Sequence, residues 1–270
     1  MTYIKLIVKT ILYQPLFNLL IFLVWLIPGH NVAWAIIILT IIIRLILLPS
    51  SLNATRQQKR MRDLQPEIQK LQAKYKGDKQ KQSQELMKFY RANKVNPLGA
   101  CLPLLIQLPI LLVLYYVFLN GLNTSRFDLL YSFMPRPETI NTIFLGIDMA
   151  KADRFILPVI AGVLQFIQGW QITPKASPNQ GQMQAMVSKQ MLYLMPIFTI
   201  FIAGKLPAAL PLYWIITTAF AVVQQWWVFS REKSFEPVKA IKEEAIESKE
   251  TKKEETFKNR GVEITVRRKK

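Results

Sequence analysis

VAWAIIILTIIIRLILLPSSL, residues 32–52, runs without a break into NATRQQKRMRDLQPEIQKLQAKY, residues 53–75. The first stretch is rich in Ile and Leu and interrupted by Thr40, Arg44 and Pro49. At 1.5 Å per residue it makes roughly 30 Å of helix, the thickness of a bilayer's hydrocarbon core. The second is charged and Gln-rich, yet Met61, Leu64, Ile68, Leu71 and Tyr75 recur at spacings of 3, 4, 3 and 4, the seam of an amphipathic or coiled-coil helix. A membrane span that opens directly onto a water-facing helix sets the class of the whole chain.

The rest of the sequence agrees with that start. The 270 residues are 51% hydrophobic and carry a formal charge of +18, two properties that coexist only if they are segregated. They are: residues 97–121, 155–174 and 206–230 hold no charged side chain, whereas 51–96 hold 12 Lys/Arg against 4 Asp/Glu. An ordinary soluble enzyme domain is excluded. A single cysteine, Cys101, excludes internal disulfides and Cys-rich metal sites, and a single histidine, His30, leaves little for His-based chemistry. The glycines never form the GxxxxGK pattern that cradles phosphates, so an ATP-driven pump is not indicated. No catalytic residue, cofactor or metal is expected.

Residues 1–31 form an apolar N-terminal segment whose 4–27 stretch is broken by Lys5, Lys9, Gln14, Pro15 and Asn18. Its basic start and Ala33-Trp34-Ala35 resemble a signal peptide with a cleavage site. Cleavage there would leave only Ile36–Leu48 ahead of the basic region, too short to cross, so retention is expected. The retained segment either lies along the interface as a helix or forms a distorted extra span. The first span is 32–52. Residues 53–96 are a helical hairpin, with Gly77-Asp78 as its turn. The second span is 97–122, followed by a polar loop over 123–154. The third is 155–171, then a connection over 172–190, a short fourth span over 191–203, a reversal at Gly204-Lys205-Leu206-Pro207 and a fifth span over 208–229. Residues 231–270 form a basic tail, read as disordered from its mixed charge and few large apolar residues. The fold class expected is an all-α polytopic membrane protein: a five-helix transmembrane core, a helical hairpin and an N-terminal interfacial helix. The hairpin carries a net +8 and the 123–154 loop carries 4 Lys/Arg and 4 Asp/Glu, so the hairpin, the 172–190 connection and the tail belong on the cytoplasmic side and the loop outside.

Arg44 is the only charged residue inside these spans, and a guanidinium at mid-membrane costs about 2.5–3.5 kcal/mol on insertion scales. No span contains Asp or Glu to pair with it. Two readings are open: a water-filled cavity around Arg44, or snorkelling toward Ser50, about 9 Å away along the helix. Trp214, Thr218, Ala221 and Gln225 fall at i, i+4, i+7 and i+11 on the last span, Gln165 and Gln168 at i, i+3 on the third, and Gln107 on the second. These polar faces either turn toward Arg44 or simply hold the helices together by hydrogen bonds. The hairpin likewise reads as a partner-binding element or as a solvated one.

Ile41-Ile-Ile-Arg-Leu-Ile-Leu-Leu-Pro49, Leu64-Gln-Pro-Glu-Ile-Gln-Lys-Leu-Gln-Ala-Lys-Tyr75, Val95-Asn-Pro-Leu-Gly-Ala-Cys-Leu-Pro-Leu-Leu-Ile-Gln-Leu-Pro-Ile110 and Leu206-Pro-Ala-Ala-Leu-Pro-Leu-Tyr-Trp214, in that order, resemble the YidC/Oxa/Alb family of membrane-protein insertases. The likeness covers roughly residues 10–230 and is to the short bacterial form without a large extracytoplasmic domain. It implies a five-helix core around a hydrophilic groove, with the groove arginine at Arg44 and the groove aromatic at Trp214. Gln107, Gln165, Gln168, Thr218 and Gln225 join that groove on polarity alone. It also implies a non-enzymatic, chaperone-like role in the bacterial plasma membrane. The partners would be nascent membrane proteins and the lipid bilayer, with the ribosome through the basic tail, the Sec translocase and the signal recognition machinery as further candidates. A secondary transporter or anion channel, with Arg44 as an anion site, and an assembly factor acting only through its hairpin are the alternatives.

Overall fold

The structure is a computed structural model that describes residues 9–96, 102–121, 129–173, 186 and 189–236. The expected Pro97–Cys101 start of the second span, most of the 172–190 connection and the tail beyond Glu236 lie outside the described residues. A π-helical turn, Lys9–Tyr13, leads into α1 (Gln14–Leu26), followed by α2 (Val32–Ile46), α3 (Leu48–Asp63), α4 (Gln65–Lys74), α5 (Lys79–Ala92) and α6 (Leu102–Gly121). A two-stranded ribbon, β1 (Ile143–Phe144) with β2 (Ile147–Asp148), precedes α7 (Ile156–Ile172). A second π-helical turn, Gln190–Leu194, opens α8 (Met195–Ala203), and α9 (Ala209–Arg231) ends the described chain. By length and hydropathy Lys9–Leu26 and Ala209–Arg231 each suffice to cross a bilayer, and α2 with α3 makes a bent third candidate. Helix α7 and the stretches Pro109–Asn120 and Leu192–Ala203 are shorter apolar helices. The protein is an all-α polytopic membrane protein apart from the small ribbon.

The stretch 32–52, read above as one span, bends by 69° between α2 and α3. Pro49 is the physical reason: it has no N–H for the carbonyl of Leu45, and its ring would collide with that carbonyl in a continuous helix. Leu48 to Leu52 therefore belong to the helix that leads away into the hairpin. Leu64 and Ile68 of the predicted seam, fully buried, pack with Val95, Met61, Leu86, Phe89 and Tyr90 as the hairpin's own small core. Asp78 caps α5, its carboxylate accepting from the backbone N–H of Lys81 at 3.0 Å.

The larger core joins Phe17, Leu20, Ile21 and Val24 of α1 to Ile36 and Leu39 of α2, Leu114 and Phe118 of α6, and Leu210 and Tyr213 of α9. Helix α9 touches α2, α6, α7 and α3, and α7 packs on α8. Gly162 sets the last of these contacts, since a Cβ there would meet the side chain of Ile200 and lie 3.2 Å from the carbonyl of Pro196. The outward faces of α7 (Ile156, Val159, Ile160, Val163) and α8 (Ile197, Phe198, Phe201) leave large apolar side chains exposed, as lipid contact requires.

One end of the bundle is closed by the 129–155 segment. Val32 N–H donates to Asn141 and Asn141 N–H to His30, while Ala208 and Ala209 donate to the carbonyls of Lys151 and Met149. Asn18 of α1 is satisfied on both amide atoms: Nδ2 donates to Gln14 and Leu129, and Oδ1 accepts from Tyr131 N–H. The Tyr13 hydroxyl accepts from Asn120 at the end of α6. Asn18 near the start of α1 and His30 just past its end are thus both tied to the 129–155 segment.

Candidate functional site

Arg44 stands in the last turn of α2, where the carbonyl end of the helix dipole favours a cation. It is half-buried and makes no hydrogen bond or ion pair with any described residue. Its electrostatic neighbour is the phenol of Tyr213, on the second turn of α9 and 1% exposed. The Tyr213 hydroxyl accepts from Nε2 of Gln107 on α6. Helices α2, α6 and α9 therefore contribute to one polar cluster within the bundle.

Of the residues singled out from sequence, Arg44 and Gln107 meet there, through Tyr213 as intermediary. Trp214 and Thr218 are half-buried, and the buried polar side chains of α9 are Tyr213, Thr217, Gln224 and Gln225. Gln225 is buried and reaches Oε1 of Gln58 at 3.5 Å, with its own carbonyl oxygen unpaired among the described residues. Gln165 and Gln168 of α7 are half-buried and form no hydrogen bond with a described residue. Sequence reading missed Tyr213, whose phenol beside the apolar Leu212 was the available signal, and also a polar set on α3. There Ser51 Oγ donates to Gln224 Oε1 at 3.0 Å and Gln224 Nε2 donates to Thr55 Oγ1 at 2.8 Å. The amides of Gln57 and Gln171 add two more buried carbonyl oxygens that have no partner among the described residues, where α3 passes α7 and α9.

The base of the hairpin is clamped to the end of α9. Lys59, 7% exposed, donates to the carbonyl of Glu232 and, at 2.9 Å, to that of Lys233. Arg56 pairs with Glu232 at 2.6 Å, and Asp63 accepts from the N–H of Phe235 at 2.9 Å. Phe235 packs against the hairpin's core with the Arg60 guanidinium 5.3 Å from its ring centroid. Arg62 donates to the carbonyl of Gln171 at 2.6 Å and stacks on Phe229. Among the described residues no His/Cys/Asp/Glu group could hold a metal.

Comparison with known proteins bears on this arrangement. Residues 24–235 match the profile of the family described as 60Kd inner membrane protein. The chain is 38% identical over 202 residues to the membrane protein insertase YidC of Fusobacterium nucleatum, covering 74% of this chain and 87% of the relative. It is 40% identical over 188 residues to that of Clostridium tetani, covering 70% and 77%. The YidC of Ectopseudomonas mendocina matches at 38% over 218 residues, 80% of this chain but 34% of that longer protein. With most of its length matched in this way, and the helical order found in the structure, the chain belongs to the 60Kd inner membrane protein family of YidC-type proteins.

Proposed function

We propose that this protein is a membrane-protein insertase, which receives the hydrophobic segments of newly made membrane proteins and moves a short polar flank across the bilayer without nucleotide hydrolysis. Family membership supports the insertase role. The observation that carries the mechanism is Arg44, an intramembrane cation with no carboxylate beside it among the described residues, next to the Tyr213 and Gln107 pair. A cation left without an internal counter-ion is disposed to meet an external one. A substrate's acidic flank in a hydrated groove bounded by α2, α6, α7 and α9 keeps much of its hydration and gains attraction to Arg44. Its apolar segment remains against lipid and leaves sideways by partitioning.

The described helical run before Gly204, Gln190–Ala203, is about 20 Å long and favours a thinned bilayer, which shortens the polar crossing. The membrane potential adds about 2.3 kcal/mol per charge per 100 mV for acidic flanks moving outward. In this reading the protein sits in a bacterial plasma membrane with its hairpin and tail cytoplasmic, following the +8 of residues 51–96. The hairpin receives chains from the signal recognition machinery or beside the Sec translocase. The basic tail contacts ribosomal RNA, an attraction that weakens with salt.

The test is insertion of a single-span, acidic-flanked substrate into liposomes holding only the purified protein, without nucleotide. At an effective dielectric of about 20, an attraction across roughly 6 Å is worth about 3 kcal/mol, so Arg44→Ala slows insertion on the order of a hundredfold while Arg44→Lys keeps most of it. Solute uptake into the same liposomes stays at background for all three proteins. Uptake that depends on Arg44 would instead identify a transporter, and failure of the unsubstituted protein to insert anything would reject autonomous action.

A further inference from the structure

The ribbon at the closed end turns through Leu145-Gly146, with φ of 49° and 81°. Two positive φ values in a two-residue hairpin loop define a type I′ turn, which Asn-Gly or Asp-Gly fills without strain. Leucine is disfavoured there twice over. Its Cβ crowds the backbone in the left-handed region, and its side chain is left 86% exposed. Next to it, Ile143 is also exposed, and residues 139–147 contain no charged side chain. The charges at the ribbon's base are already occupied with each other, Asp148 pairing with Lys151 at 3.2 Å.

The ribbon's height in the membrane follows from its contacts. Phe144 meets Trp34, in the first turn of α2, edge to face at 5.5 Å, and the Ile143 carbonyl accepts from Asn31 Nδ2 at 2.8 Å. Trp25 and Leu26, exposed at the end of α1, flank the same α1–α2 connection. Tryptophans at the ends of spans sit at the level of lipid headgroups, so the ribbon's apolar surface continues a surface that already faces lipid.

We propose that Leu145 and Ile143 enter the interfacial layer of the leaflet at this end of the bundle, making the ribbon a lipid anchor for the closing segment. Lipid replaces water around the leucine and offsets the backbone strain that an exposed turn would otherwise select against. Beyond β2 the chain passes through the fully buried Met149 to Lys151, whose carbonyls hold the N–H groups of Ala209 and Ala208. The anchor therefore fixes the depth of the start of α9, one turn before Tyr213.

An environment-sensitive nitrobenzoxadiazole label on Leu145→Cys, in a Cys101→Ser background, tests this in vesicles of phosphatidylethanolamine and phosphatidylglycerol. The same label on Ser132→Cys serves as a comparison, and unchanged melting temperatures show that the labelled proteins are folded. The expected result at position 145 is emission at shorter wavelength than at 132, with strong loss of intensity from lipid spin-labelled near the headgroup and little from aqueous iodide. Quenching by iodide with water-like emission would overturn the proposal. Shielding from both quenchers would overturn it too, because it would place the leucine against protein and not lipid.

Discussion

Lys59→Met removes the ammonium from the clamp between hairpin and α9 while keeping an apolar stem of similar length. In the structure that ammonium serves two carbonyls just past the end of α9, at Glu232 and Lys233, inside a site where the residue is almost wholly covered. Hydrogen bonds to a charged group contribute about 1.5–3 kcal/mol each. Removing a buried charge returns part of that sum as relieved desolvation, which leaves a net loss of roughly 2–3 kcal/mol. Locally that is a 30- to 150-fold rise in the opening of the clamp, at about 1.4 kcal/mol per factor of ten. Hydrogen exchange read by mass spectrometry in nanodiscs reports it directly: peptides over 229–236 and 60–71 should exchange faster, and 209–217 in the large core should not change. Equal acceleration at 209–217 would show that Lys59 supports the whole fold and not a local clamp. No change anywhere would show that the two carbonyls are as well served by water. Arg56→Ala is the contrast, because the partly exposed pair with Glu232 should contribute less than about 1 kcal/mol.

Three further outcomes are expected. Tyr213→Phe strands the Gln107 amide in apolar surroundings at a cost of about 1–3 kcal/mol, visible as a lower melting temperature in detergent and slower insertion of acidic-flanked substrates; an unchanged melting temperature would mean that Gln107 is otherwise paired. Gly162→Ala forces a methyl group to 2.7 Å from Ile200 Cδ1 and should destabilise the α7–α8 contact by about 1–3 kcal/mol, whereas a neutral result would contradict their close approach. Burial alone would raise the Asp148 carboxyl, but the Ala150 N–H, the Thr142 hydroxyl and Lys151 outweigh it and hold the group below the usual carboxylate range. Its contribution is therefore present above the ordinary carboxylate range and lost as pH falls through the lowered folded value, so acid should lower the protection factors of Ala208 and Ala209 once the intrinsic slowing of exchange in acid is corrected for, and Asp148→Asn should abolish that pH dependence.

The all-α membrane class was legible because hydrophobic runs and the 3, 4, 3, 4 seam are local signals. Gly77-Asp78 marked the turn of the hairpin, and Arg44 stood out as the one charge in an apolar run. What the sequence left open were choices between near neighbours on one helix. Trp214 and Tyr213 differ by 100° around α9, and the difference between facing Gln107 and facing sideways depends on where α6 and α2 pack, which no spacing rule contains. The polar network of Ser51, Thr55 and Gln224 was hidden for the same reason, since residues more than 160 positions apart were joined only by the turn of α3. Lys59 looked like any other cation of a basic hairpin, and its burial arises from the chain past α9 folding back over α3.

That turn also explains why the intramembrane charge and the hairpin are neighbours in sequence. Pro49 ends α2 within one turn of Arg44, which leaves the guanidinium beside the negative end of the helix dipole and lowers the cost of keeping it in the membrane. The same proline sends α3 off at 69°, so that it crosses the ends of α7 and α9 instead of continuing outward. Laid there, α3 turns one face to the buried glutamines of α9 and another to the clamp at residues 232–235. A straight helix would place Arg44 mid-stem, far from any helix end, and would carry the hairpin away from α9. One backbone break thus leaves the cation at a helix end and sets the base of the hairpin against the end of α9.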